Sequence, residues 1–521
     1  MEKNSNKGRI LWADDEIELL RPHKIFLEQR GYEVFTVTNG ADAVEIVKSK
    51  DFDIVLLDEM MPGLDGLQTL AQLKSIRPSL PAIMITKNEE ESLMEEAIGE
   101  QISDYLTKPV NPSQIISAIK RILDKTRIRQ NAVSEKYINA FNELNLQIGN
   151  DVSAKDWIKI HHQLSNWELD IEDFPELGFQ DMLQQQKKDA DLEFSRFIRS
   201  KYEKWVNGPY DQRPIMAPDV IRKFVKPLLE NDKKVLFIVM DCMRWDQWLT
   251  IEKLLFPEFQ IRRDGQYTIL PTTTEYSRNA MFSGLFPDDI ASQHPDWWHN
   301  IDENSLNAHE GDLLKEQMKR LGLHQKPGPK YKKIYNNSEG DHFTKNFKSI
   351  ANHDLIALVV NQIDLLTHHR TDSSILQDLI PNETSYREMV RTWFKNSWIF
   401  NLLLEAKKYN YTIVVTSDHG SIKVEHSSVI KADRDASVNL RFKLGRNLQP
   451  NPKDAWLFSD PSRIRIPVNN NNETIAIALK DYYFLYPNNF RKYQTKYEDT
   501  YQHGGLSLWE MITPVATLTS K

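Results

Sequence analysis

The chain has 521 residues, 40% of them hydrophobic and 27% charged, with a formal net charge of −8. That length exceeds what one hydrophobic core organises, at roughly 100–200 residues per domain, so about three units are expected. The single cysteine, Cys242, excludes an internal disulfide framework and a cysteine-rich zinc site, and suits a reducing cytosol. The acidic balance weighs against broad electrostatic attraction to nucleic acid. The first residues, MEKNSNKGRI, hold no signal-peptide core, and no run reaches the ~18 apolar residues of a membrane helix. A cytoplasmic protein without membrane insertion is the expectation.

Residues 8–125 alternate strand and helix patterns at short intervals. GRILWADD is an apolar run ending in carboxylates, and Ile17 to Arg30 is amphipathic and closed by Gly31. YEVFTVT then reads as a strand and Ala41 to Lys50 as a helix. FDIVLLDEMMPGLDG is a buried strand emptying into a turn. PAIMIT, a helix around 89–99, the short strand DYLTKP and a helix from Pro112 to Asp124 complete five β/α units. This pattern predicts a parallel sheet with helices on both faces.

Between 126 and 205 the apolar residues take helical spacing: Tyr137, Ile138, Phe141, Leu144 and Ile148, then Trp157, Ile160, Leu164 and Trp167. A helical bundle serving as a connector is predicted, without chemistry of its own. From 206 to 521 β/α alternation returns, with apolar strands at VLFIVMD (235–241), LIALVVNQID (355–364) and TIVVTSDHG (412–420).

Five polar residues occupy the carboxyl ends of the predicted amino-terminal strands: Asp14 and Asp15 after the first, Asp58 after the third, Thr86 after the fourth and Lys108 after the fifth. Acidic oxygens at adjacent parallel strand ends suit Mg²⁺ beside a phosphorylatable carboxylate. In this order the set resembles the receiver domain of response regulators. The resemblance implies a flavodoxin-like five-stranded fold. It makes Asp58 the phosphoacceptor, with Asp14, Asp15, Asp58 and the carbonyl of Met60 around Mg²⁺. Thr86, Lys108 and Tyr105 would form the switch that responds to the phosphoryl charge.

A second constellation lies further on. Asp241 ends one strand, Asp364 the next with His368 four residues later, and Asp418-His419 the third. His503 sits on a Gly-Gly turn, YQHGGLS, where the backbone is free to approach a metal closely. Nitrogen and oxygen ligands without cysteine suit catalytic zinc. In YTILPTTTEYSRNAMFSGLFP a helix is predicted to begin near Thr274 as its N-cap, putting a hydroxyl at the positive helix end. These residues resemble the alkaline phosphatase superfamily, most closely its PglZ-type branch, over roughly 206–521. On that resemblance Asp241, Asp418 and His419 bind one zinc and Asp364, His368 and His503 the other. Thr274 bridges toward both as the nucleophile, chosen over Thr272 and Thr273 by its distance to GLFP (284–287). The asparagine that related enzymes place on a phosphate oxygen has Pro295 at its position, leaving Arg244 or Asn279 as substitutes.

A receiver (8–125), a helical connector (126–205) and a larger alkaline-phosphatase-like α/β domain (206–521) together resemble PorX-type response regulators, linked to type IX secretion. The resemblance implies a sensor histidine kinase upstream, and a sigma factor or secretion-system protein downstream. It further implies a phosphorylation-dependent homodimer and a two-zinc phosphodiesterase output acting on a nucleotide or oligonucleotide substrate. The alternative expectation is a phosphorylation-controlled docking regulator with a weakly active or vestigial metal site. A DNA-binding output is disfavoured by the lack of a basic recognition helix after the receiver.

Overall fold

The computed structural model describes residues 7–521 apart from 78, 88–101, 150–151, 300–306, 325, 434–435 and 469–471. The helix expected around 89–99 lies outside the described residues. The chain divides into two compact units, one of residues 1–140 with 170–179, the other of 141–169 with 180–521.

In the first unit, strands β1 (Arg9–Ala13), β2 (Glu33–Val37), β3 (Ile54–Asp58), β4 (Ala82–Thr86) and β5 (Asp104–Thr107) form one parallel sheet in the order β2-β1-β3-β4-β5. Helices α1 (Arg21–Glu28), α2 (Gly40–Ser49) and α3 (Gly66–Ile76) join them, the last opened by an Asp65–Gln68 capping box. Strand alternation sends Ile10, Trp12, Ile54, Leu56, Ile83 and Ile85 into one core. Leu11, Ala13, Val55, Leu57 and Met84 go into the other. The register pairs Ala13 with Leu57, Asp58 with Ile85 and Thr86 with Thr107, so the residues that follow these strands emerge along one edge.

Helix α4 (Pro112–Ile148) does not stop near Asp124 as the sequence suggested but runs for 37 residues. No glycine or proline interrupts it after Pro112, and proline at the first position fits a helix start. Helices α5 (Ala154–Glu172) and α6 (Gln180–Asn207) follow.

The second unit is built on a six-stranded sheet. Its parallel centre comprises β6 (Lys234–Met240), β8 (Lys330–Ile334), β9 (Leu355–Val360) and β10 (Tyr411–Thr416). The strands β7 (Phe259–Tyr267) and Ile512–Ser520 complete it antiparallel on the β10 side, giving the order β7, C-terminal strand, β10, β6, β9, β8. Leu236, Ile238 and Met240 pack with Ile356, Leu358, Val360, Ile413 and Val415 in a single core. β6, β9 and β10 read as continuous apolar runs because both faces of a parallel sheet are covered. Met240 pairs with Val360, and Val239 with Thr416, which aligns the carboxyl ends of the three strands that lead into the candidate site. Helices α7 (Trp245–Leu255), α8 (Thr274–Ser283), α9 (Glu310–Arg320) and α10 (Gln362–Asp372) flank the sheet connections. No helix among the described residues is long and apolar enough to cross a membrane.

Candidate functional site

At the sheet edge of the first unit, Asp14, Asp15 and Asp58 bring carboxylate oxygens within 4.8 Å of one another. Lys108 Nζ lies 2.8 Å from Asp58 Oδ1 and 3.2 Å from Asp14 Oδ2. Asp14 also accepts from the Glu16 backbone N–H at 2.9 Å. Burial pushes the Asp58 carboxyl above its ordinary range and Asp14 pushes the same way, while the hydrogen bond from Lys108 opposes both. Three carboxylates against one ammonium leave an excess of negative charge that a hard divalent cation would offset, so the oxygen set fits Mg²⁺. Thr86 donates its hydroxyl to Glu59, the neighbour of Asp58. Met60 is 70% exposed, and Tyr105 packs half-buried on the Leu11–Met84 side of the sheet. Glu59 was not singled out by the sequence pattern.

The second site lies where β6, β9 and β10 end. Asp241 follows β6 directly, while Asp418 and His419 occupy the loop after β10. Asp364 corrects the sequence reading: β9 ends at Val360, and Asp364 stands in the first turn of α10. The four-residue spacing then places His368 one turn on, with Nε2 3.4 Å from Asp364 Oδ1. His503 completes that group, Nε2 lying 3.6 Å from Asp364 Oδ1 and 3.3 Å from His368 Nε2. In the other group His419 Nε2 is 3.8 Å from both Asp241 Oδ1 and Asp418 Oδ2. Within each triad the ligating atoms fall within 4.8 Å. The His419 and His503 rings stack at 4.3 Å, which brings the triads side by side.

The donors suit divalent cations. His419 Nδ1 lies 3.0 Å from the Gly420 carbonyl, an arrangement that holds the proton on Nδ1 and leaves the Nε2 lone pair facing the aspartates. Asp418 Oδ2 is buried without a hydrogen-bond partner. Two imidazole nitrogens converging at 3.3 Å, as at His368 and His503, suit a shared cation better than a shared proton. Burial and the nearby Asp418 drive the Asp241 carboxyl well above its usual range. At His419 burial disfavours the charged ring, but Asp418, Cys242 and Asp241 together outweigh it and raise the pKa well above the ordinary value. Burial and His419 push His503 the opposite way. Two three-residue sets of nitrogen and oxygen, each short of tetrahedral completion, fit catalytic zinc.

Thr274 opens α8, and Thr273, extended at φ −133° and ψ 159°, occupies the N-cap position without a side-chain capping hydrogen bond, one position earlier than the sequence suggested. Thr274 Oγ1 lies 3.1 Å from His419 Nε2 and 3.4 Å from Asp241 Oδ1. The Thr272 hydroxyl is engaged elsewhere, donating to Gly505 O at 2.8 Å and accepting from Gly504 N–H at 3.0 Å. Arg244 is committed to Asp246 and Glu383. Asn279 Nδ2 donates to the Glu275 carbonyl within α8.

Two residues near Thr274 escaped the sequence reading. Arg278, fully buried one turn along α8, sets Nη1 2.5 Å from Asp241 Oδ2 and pairs through Nε with Glu310 of α9. Its i+4 spacing from Thr274 was the available signal. Asn307 reaches the Thr274 carbonyl with Nδ2 at 3.3 Å. The 33-residue separation left no local pattern by which to find it.

Comparison with known proteins matches three segments of the chain. The response regulator receiver domain covers residues 10–120, the PorX response regulator linker domain 127–206, and the BREX system PglZ alkaline phosphatase-like domain 220–518. The transcriptional regulatory protein SrrA of Staphylococcus aureus (strain NCTC 8325 / PS 47) is 32% identical over 145 residues. That match takes in 28% of this chain and 60% of the relative's own length. A CheY-like receiver from Methanospirillum hungatei JF-1 is 30% identical, with a TM-score of 0.21, over 23% of this chain and 95% of the other. A Clostridium thermocellum receiver is also 30% identical, with a TM-score of 0.22, over 23% and 97%. The PglZ match spans more than half of the chain, which therefore belongs to the PglZ family of alkaline-phosphatase-like domains, carried here by a response regulator of the PorX type.

Proposed function

We propose that this response regulator couples phosphorylation of Asp58 to a two-zinc phosphodiesterase output acting on nucleotide or oligonucleotide esters. A sensor histidine kinase supplies the phosphoryl group. The output serves type IX secretion in the cytoplasm, with a sigma factor or secretion-system protein as downstream partner. The observation that carries the hydrolase reading is the position of the Thr274 hydroxyl, at a helix N-terminus beside His419 and Asp241, with the Asp364–His368–His503 triad alongside.

Asp241, Asp418 and His419 would hold one zinc and Asp364, His368 and His503 the other. When bound, the zinc ions supply Lewis-acid charge that lowers the hydroxyl pKa and offsets phosphate charge. Thr274 Oγ1, its proton passed to solvent, forms a bond to phosphorus while the ester oxygen leaves; water cleaves the resulting phosphothreonine and returns the proton to Thr274. The start of α8 directs backbone N–H groups and the positive end of the helix dipole at the phosphate. Arg278 fixes the Asp241 carboxylate, and Asn307 offers an amide beside the nucleophile. Arg278 gives Nη1 to Asp241 and Nε to Glu310 and keeps only the buried Nη2 unpaired, so its charge is offset by two protein carboxylates, which favours a diester over the more highly charged monoester.

The test is metal analysis of the purified protein, with turnover of bis(p-nitrophenyl) phosphate set against p-nitrophenyl phosphate. Two zinc equivalents and faster diester cleavage are expected. Absence of bound zinc after reconstitution, or a clear monoester preference in the loaded protein, overturns the reading.

A further inference from the structure

The connector helices do more than separate the other parts of the chain: α6 and most of α5 belong to the same compact unit as the hydrolase sheet. Buried Asp191, in the middle of α6, accepts from the Leu508 backbone N–H at 2.6 Å. One turn earlier Lys187 Nζ stands 4.4 Å from the Trp509 ring centroid, and His161 of α5 meets the same ring at 4.7 Å. Two helices of the connector thus grip the first two residues of a short helical turn, Leu508–Met511.

The segment that contains this turn reaches both metal-ligand groups. His503 lies at its start, followed by Gly504 and Gly505, whose backbone is tied to Thr272. The fully buried Glu510 accepts from Gly505 N–H at 2.8 Å, from the Ser507 hydroxyl at 2.5 Å and from Arg441 Nη2 at 2.6 Å. Its carbonyl accepts from Gly420 N–H at 3.0 Å, the residue after His419. The fit there is tight: a Cβ on Gly420 would stand 2.1 Å from the Trp509 carbonyl oxygen. A buried charge satisfied on several sides is costly to unsettle, so the segment behaves as a rigid wedge between His503 and the Asp418–His419 loop.

We propose that Asp191 is a positioning residue of the hydrolase: by holding Leu508 it fixes the wedge that sets His503 against the Asp418–His419 loop, making the connector part of the output site. The inference rests on the zinc reading above only for its metal-binding consequence. Its structural core is independent of it.

The experiment compares wild type, Asp191→Ala, Asp191→Asn and, as a control on the same helix, Glu203→Ala, which breaks only the exposed pair with Arg463. Amide hydrogen exchange in the full chain is read first without metal. Asp191→Ala is expected to exchange about tenfold faster across residues 503–511, whereas Asp191→Asn, whose side-chain oxygen still accepts from Leu508, stays near wild type. In chelator competition, Asp191→Ala is expected to hold one zinc equivalent about tenfold more weakly, as for groups that support metal ligands. Should the alanine protein not fold, Asp191→Ser keeps a polar group too short for the contact and takes its place. Unchanged exchange of 503–511 on loss of the Asp191 carboxylate, or equal loosening in Glu203→Ala, overturns the inference. A wild type without zinc sinks the hydrolase reading, while the metal-free exchange arm still decides this one.

Discussion

Thr86 gives its hydroxyl to Glu59 while Asp58, one residue away, is engaged by Lys108. Closing on a phosphoryl group requires Thr86 to exchange a carboxylate acceptor for a phosphoryl oxygen. A hydrogen bond to a charged group contributes about 1.5–3 kcal/mol, most of it recovered in the exchange. Glu59→Ala removes the competitor and should tighten beryllofluoride binding to the receiver by roughly fivefold, about 1 kcal/mol. Titration of the full chain with beryllofluoride and Mg²⁺ measures it. Equal affinity in both proteins would show that Glu59 does not restrain the switch.

The five strand-end groups of the receiver were legible because a parallel sheet forces its functional residues to the carboxyl ends of successive strands. The zinc-ligand candidates were legible for the same reason, with one displacement. LIALVVNQID reads as a single apolar run, and periodicity alone cannot separate its strand from the helix that begins at Gln362. The grip of Asp191 on Leu508 spans 317 residues and leaves no local trace, so the connector read as inert. Arg278 was within reach, because a cation four residues after a helix-opening threonine shares its face. Periodicity marks such a position as polar but not as the partner of an aspartate on another element.

Thr274 and Thr272 separate cleanly by what their hydroxyls do. Thr274 faces His419 and Asp241, whereas Thr272 ties down the Gly504–Gly505 backbone. Thr274→Val should therefore remove turnover by several orders of magnitude and leave zinc content and melting temperature near wild type. Thr272→Val strands a buried N–H and should cost about 1–3 kcal/mol of stability, with a smaller loss of turnover. Diester turnover, zinc content and thermal denaturation of both variants discriminate the two. Near-normal turnover in Thr274→Val removes it as the nucleophile.

Phosphorylation at Asp58 is expected to drive homodimer formation. A phosphoryl group adds nearly two negative charges, and carrying that change to the output needs a two-state element that it biases. Thr86, at the end of β4, and Tyr105, on the neighbouring β5 opposite Met84, are the candidates for such an element. Raising the dimer fraction from about 1% to 99% takes ~5.5 kcal/mol of differential stabilisation. Light scattering with beryllofluoride and Mg²⁺ should show a mass increase in wild type and none in Asp58→Ala. A constant wild-type mass would remove the dimer from the regulatory scheme.

His161 makes the fold sensitive to acid. It sits fully buried in α5, its ring against Trp245 and Trp509, with both ring nitrogens lacking a hydrogen-bond partner. Burial lowers its pKa from 6.5 to about 3, against a weaker opposing pull from Asp246. The folded pKa lies below the unfolded one, so the unfolded chain takes up the proton first as pH falls. Stability from this group is intact above about pH 6.5 and declines toward about pH 3, where the folded ring itself protonates. The linkage amounts to roughly 2 kcal/mol by pH 5, since each pH unit below the unfolded pKa costs up to about 1.4 kcal/mol. Phenylalanine fills a similar volume without buried nitrogens, so His161→Phe should lose less stability than wild type between pH 8 and pH 5. Calorimetry of both proteins in chelator, at matched pH values, removes the contribution of bound metal. Parallel curves across that range would mean that His161 is not held neutral by its surroundings, whereas a gap that opens below pH 6.5 ties the acid sensitivity to this one ring.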